Sequence, residues 1–172
     1  MDFFEAVENR YNTVRDFENR EVEEEKINKI LDAINKSPSA GNLQAYEVFL
    51  VKDPQKRSQI ARAANNQEFI AKAPVILVFC AHPARCSEKY ERRGEQLYCI
   101  QDATIAAAHA QLAAAALGLN TRWVGAFDDD QLRHAIGADK SLIPTSVLPI
   151  GYWGVKPQPK PRRDLNDLVH RV

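Results

Sequence analysis

The chain has 172 residues, 45% hydrophobic and 27% charged, with only 7 Gly and 9 Pro, usage that excludes disorder, collagen and fibrous repeats. Lysine plus arginine and aspartate plus glutamate each total 23, so no whole-molecule field draws in nucleic acid or an acidic membrane surface, and any charged ligand is held locally. The length predicts one domain, residues 1–172. Asp2 caps a first helix whose Phe3, Phe4, Val7 and Tyr11 share a face, ahead of a basic turn, YNTVRDF. A second helix is expected from about Glu23 to Lys36, with Ile27, Ile30, Leu31 and Ile34 on one side, and SPSAGN stops it. AYEVFLVK, residues 45–52, reads as a strand, and Asp53-Pro54 caps a third helix. PVILVFCA, residues 74–81, is an unbroken apolar run, the mark of a strand buried on both faces.

From His82 to Glu95 the chain turns charged and irregular, which predicts an exposed connection or a short lid. Nine alanines between positions 103 and 116 then fill a helix from Leu97 to Leu117, closed by Gly118. Its small side chains allow close approach from several directions, as in a central or interface helix. TRWVGAF reads as a strand, Asp128 to Asp130 open a helix that Gly137 ends, and TSVLPIGYW is a last strand. A proline-spaced tail, VKPQPKPRR, leads to a short helix from about Asp164. Strands separated by helices, with a departing tail, predict an α+β or three-layer mixed-sheet domain.

The three cysteines, at 80, 86 and 99, match no zinc spacing, and their odd number argues against a disulfide framework. The N-terminus carries no apolar run of a signal peptide, and no segment has the ~18 apolar residues needed to span a bilayer. A cytoplasmic chain without a membrane partner is expected. Glycine-rich phosphate loops, His-Glu-x-x-His and Gly-x-Ser-x-Gly are all missing. His82, His109, His134 and His170 are scattered, and Cys80 reads as a buried hydrophobe. The lack of a catalytic dyad favours chemistry carried by a bound cofactor.

Residues 156–172 hold Lys156, Lys160, Arg162, Arg163 and Arg171 against Asp164 and Asp167, either a solvated tail or a phosphate site. Arg10 and Arg15 bracket Thr13, offering fork donors and a hydroxyl that suit a phosphate, or else compensating a helix C-terminus. Ser37, Ser39, Asn42 and Gln44 form a hydrogen-bonded loop or the wall of a polar planar site. Trp123 and Gly125 suit either a core tryptophan beside a bulge or a close backbone approach to a flat ring.

Five segments together resemble the FMN-dependent nitroreductase family in its short form: YNTVRDF, SPSAGNLQAYEVFLV, NNQEFIAKAPVILVFCA, QDATIAAAHAQLAAAALGLNTRWVGAF and LPIGYWGVKPQPKPRRDLNDLV. The resemblance implies a three-layer α-β-α fold with a mixed, mainly antiparallel sheet, and a homodimer that exchanges its extended C-terminal tail. It implies FMN as cofactor at the subunit interface. Arg10, Thr13, Arg15, Lys160 and Arg162 would face the phosphate and ribityl chain. Pro38, Ser39, Ala40, Asn42 and Gln44 would reach the partner's flavin, Asn66 and Gln67 would meet the pyrimidine edge, and Trp123 and Gly125 would lie by the ring. The family motif Arg-x-Ser-x-Arg-x-Phe places Tyr11 where the first arginine belongs, with Arg10 one residue away, and Ala45 and Tyr46 stand where the family has proline and tryptophan. The implied activity is ping-pong hydride transfer from NAD(P)H to a small conjugated acceptor, a nitroaromatic or a quinone. Alternatives are a flavin-cleaving or reductively dehalogenating branch, or a non-enzymatic FMN-binding dimer.

Overall fold

A computed structural model describes residues 1–12, 14–155, 158 and 160–172. In chain order the elements are α1 (Phe3–Asn9), α2 (Glu24–Asn35), β1 (Tyr46–Val51), α3 (Pro54–Ala63), α4 (Phe69–Lys72), β2 (Val75–Ala81), α5 (Pro83–Arg93), α6 (Cys99–Ala116), β3 (Asn120–Thr121), α7 (Asp129–Ile136), β4 (Ile143–Gly151) and α8 (Leu165–Leu168). The sheet runs β1-β2-β4-β3, and its three ladders are antiparallel.

Every residue of β2 is buried. Leu77 and Phe79 point into a core built by Ile27, Ile30 and Ile34 of α2 and the alanines of α6. Ile76, Val78 and Cys80 point the other way, into a core with Ile60 of α3 and Leu132 of α7. Strand alternation thus gives one apolar run two partners, and the result is the expected α-β-α layering. The capping chemistry sets the helix starts. Asp2 and Glu5 form a reciprocal capping box on α1, Asp53 Oδ1 accepts the Lys56 N–H at 2.8 Å, and Asp128 Oδ1 accepts that of Gln131 at 2.8 Å. Gly137 closes α7 in the left-handed conformation, φ 69°.

Three expectations change. Residues 82–95 are largely exposed, as expected, but not an irregular connection: Pro83 opens α5 with His82 as its cap, the helix kinks at Glu91, and the π-type turn Gly94–Tyr98 carries it into α6. TRWVGAF is not a continuous strand. Only Asn120–Thr121 ladder with β4, after which Val124 returns as a single bridge to Val147. The apolar face of α1 does not enter the core, because Ala6 is its buried residue while Phe3 and Phe4 are 62% and 75% exposed.

Candidate functional site

The expected site residues fall into two groups at opposite ends of α6. At its C-terminal end, Gln111 Nε2 donates to Thr121 Oγ1 at 3.0 Å and to Asn12 Oδ1 at 3.4 Å. The same Asn12 oxygen accepts the Trp123 N–H. Val14 and Phe17 are buried with Ala73 beneath Phe69, and Phe17 bridges Trp153. These contacts anchor the 11–17 turn against the segment after β3 and leave Arg15 exposed. Tyr11 packs its ring on Trp153, centroids 5.6 Å apart. The residue in the motif's first arginine position is therefore part of an aromatic cluster, and Arg10 sits half-buried at the end of α1. Thr13 lies outside the described residues.

The turn between α3 and α4 joins this group. Asn65 and Asn66 take left-handed backbone, φ 58° and 56°, a conformation asparagine tolerates. Asn65 Nδ2 donates to Ala126 O at 3.2 Å and the Asp128 N–H to Ala63 O at 2.8 Å, which docks the turn beside Gly125. Gln67 Nε2 donates to Ala64 O at 2.9 Å, leaving its carbonyl oxygen available. A Cβ built on Gly125 would come no closer than 3.5 Å to any atom outside its neighbours, the nearest being Trp123 Nε1. Nothing among the described residues requires glycine there.

Arg122, which the sequence reading passed over, completes this end. Its guanidinium lies 4.9 Å from the centroid of the Phe69 ring. Among the described residues neither Arg122 nor Arg15 has a carboxylate within ion-pair distance. Burial, then the nearby Arg15 charge, push the Arg122 pKa below its ordinary value. Neither cation thus has an ion-pair partner among the described residues.

At the other end of α6 lies the loop of residues 37–45. Ser39 Oγ accepts the Gln44 N–H at 3.0 Å, and Gly41, Asn42 and Gln44 all have positive φ. Glycine suits position 41, where φ is 56° and an added Cβ would stand 2.5 Å from Tyr90 Oη. The buried carboxylate of Asp102 accepts the N–H groups of Ala40 at 2.9 Å and Ala45 at 3.4 Å. Pro38, Ser39 and Ala40 line a cavity of about 550 Å³ with Tyr98, Ile100 and Thr104. Gln44 Nε2 is engaged by Asn35 through its backbone and side-chain oxygens. Asp102 and Gln111 stand nine residues apart on α6, so the loop and the turn attach about 14 Å from one another. Lys160 and Arg162 are exposed on the tail.

Cys80, Cys86 and Cys99 are buried free thiols, and burial pushes Cys80 up to about 12, so none is a ready nucleophile. Among the described residues no His, Cys, Asp and Glu group could hold a metal ion, and no helix is long and apolar enough to cross a membrane.

The sequence model of the Nitroreductase family matches residues 8–67 and 62–152. A protein of Methanothermobacter thermautotrophicus, whose name pairs NADH dehydrogenase with NAD(P)H nitroreductase, is 32% identical over 171 residues, 97% of this chain and 84% of its own. The FMN reductase [NAD(P)H] of Bacillus subtilis is 30% identical over 174 residues, 94% of this chain and 70% of its own. Nitroreductase A from Vibrio parahaemolyticus superposes with a TM-score of 0.89 at 25% identity, over 99% of this chain and 75% of that one. Fold and sequence together define an α+β chain of the nitroreductase kind, and this chain belongs to the nitroreductase family.

Proposed function

We propose that the protein is an FMN-dependent NAD(P)H oxidoreductase that delivers electrons to small conjugated acceptors such as nitroaromatics or quinones. The observation that carries the reading is the exposed Arg15, without an ion-pair partner among the described residues, on a turn fixed by Asn12 and Phe17 against the backbone that leads to Gly125. A bound FMN would take two electrons and a proton from NAD(P)H and pass them to the acceptor.

The donor set suits that ligand. A phosphate withdrawn from water needs several charged donors, and Arg15 offers one that no carboxylate pairs with among the described residues. Lys160 and Arg162 on the tail would supply the others, with Arg10 and Thr13 beside them. The Asn66 side chain and the free oxygen of Gln67 suit the donors and acceptors of a pyrimidine edge. The space around Gly125 lets a flat ring approach the backbone beside Trp123.

The loop Pro38–Gln44 attaches too far along α6 to complete the same site, and we assign it to the site of a second copy. A homodimer would bring loop and turn together and cover the exposed Phe3 and Phe4. Such a site would admit donor and acceptor in turn, and ping-pong kinetics with parallel double-reciprocal lines are expected of it. Three buried thiols suit a reducing cytoplasm.

The reading is tested by the absorbance of protein expressed with ample riboflavin and by FMN titration of the stripped protein. Flavin absorbance and a rise in melting temperature with FMN are expected. A colourless protein whose addition leaves FMN fluorescence unchanged overturns it.

A further inference from the structure

The position of Arg122 is not explained by the fold. Arg122 is partly buried, rests on the Phe69 ring and has no acidic neighbour in ion-pair range among the described residues. Burying part of a guanidinium without an ion-pair partner costs desolvation free energy. A surface arginine free of such a role would extend into water, where its charge is solvated. A bound anionic group removes the penalty.

The surroundings of Arg122 point to the kind of group. It directly precedes Trp123, whose N–H is held by Asn12, and stands three positions before Gly125. Phe69, which carries the guanidinium, is two residues past Gln67. Arg122 therefore belongs with the residues assigned to the flat ring, whereas Arg15 lies on the turn assigned to the phosphate. We infer that Arg122 is a binding residue for the electronegative pyrimidine edge of the flavin, and that it favours the reduced form. This rests on the flavin reading above. Two-electron uptake leaves negative charge on that edge, and a fixed guanidinium beside it stabilises the reduced ring more than the oxidised one. Phe69 keeps the guanidinium plane in place, so little side-chain freedom remains to be lost on binding.

The test uses the stripped protein and its R122M and R122K variants, with FMN and riboflavin as separate ligands and the bound-flavin midpoint potential as the second readout. R122M is expected to weaken FMN and riboflavin by the same factor, about tenfold, because the ring is common to both. If Arg122 favours the reduced ring tenfold, the potential of R122M falls by about 30 mV, the two-electron equivalent of that factor. R122K, which keeps the charge but not the planar fork, recovers part of the shift.

FMN weakened with riboflavin unchanged overturns the inference, because the anion is then the phosphate. Equal weakening with an unchanged potential also overturns it, since Arg122 then only packs. Unchanged affinities and potential leave Arg122 a solvated surface group and overturn it as well. If R122M does not fold, R122K against wild type decides, because an unshifted potential with equal affinities contradicts a role for the guanidinium fork. Failure of the wild-type protein to bind either flavin is a different result, and it overturns the flavin reading itself.

Discussion

Asp102 and Ala40 are joined by a 2.9 Å hydrogen bond from the Ala40 N–H to a buried carboxylate oxygen, while the second oxygen accepts the N–H of Ala45 at 3.4 Å. One side chain on the first turn of α6 thereby holds both halves of a loop that makes three positive-φ turns. Replacing Asp102 with alanine leaves two inward N–H groups without an acceptor. Hydrogen bonds to charged groups are worth roughly 1.5 to 3 kcal/mol each, and the 3.4 Å bond counts for less than the shorter one, so D102A should cost about 2 to 4 kcal/mol. For a chain of this size, each kcal/mol lowers the melting temperature by about 2–4 °C. Calorimetry checks this, and an unchanged melting temperature would show that the loop holds itself.

A second contact ties the start of α2 to the chain after β4. The Tyr152 hydroxyl donates to Glu23 Oε2 at 2.6 Å, Lys26 Nζ donates to that hydroxyl at 2.8 Å, and Arg20 lies 3.7 Å from the ring centroid. The Tyr152 hydrogen bond, with smaller help from the backbone, Lys26 and Arg20, lowers Glu23 from 4.5 to about 2. A lowered carboxyl favours the folded state above its ordinary range, and that contribution is lost as pH falls from about 4.5 toward 2. Carbon-detected titration should show Glu23 ionised at pH 3 in the wild type and titrating nearer 4.5 in Y152F. An identical curve in both would remove the hydroxyl as the cause.

Arg15 should discriminate between two ligands that differ by one phosphate. R15A is expected to weaken FMN binding by about one to two powers of ten. Riboflavin binding should stay within experimental error of wild type. Equal losses would place Arg15 at the ring or in the fold. The expected behaviour of Arg122, equal losses for both ligands, makes the two arginines each other's control.

The proposed assembly is tested at α1. Phe3, Phe4 and Val7 expose one apolar strip. Light scattering should return twice the 19.4 kDa chain mass, and Phe4→Glu should shift the population toward single chains. A wild-type mass of one chain across the micromolar range contradicts the two-copy site.

Where local chemistry decides an element, the sequence displays it. The Asp2, Asp53 and Asp128 caps, the left-handed glycines at 118 and 137 and the apolar run of β2 each act within a few residues, and each stands where expected. Helix α5 was hidden because its buried positions are Cys86 and, just beyond, Gly94, too few apolar side chains to display a helical period. β3 is short because its register with β4 ends after Thr121, a tertiary outcome. The turn 11–17 and the loop 37–45 carry recognisable polar patterns, yet Arg122 went unnoticed because Phe69, its support, lies far away in sequence. Asp102 was overlooked for the same reason, its partners being 57 and 62 residues distant.

The central claim is electron transfer from a nicotinamide through bound FMN. Anaerobic addition of NADH or NADPH to the FMN-loaded protein measures it most directly, followed by a quinone or nitroaromatic. Loss of the oxidised-flavin absorbance on adding the nicotinamide, and its return with the acceptor, is the expected result. Absorbance that persists with both nicotinamides would make the protein a flavin-binding dimer and contradict the enzymatic account.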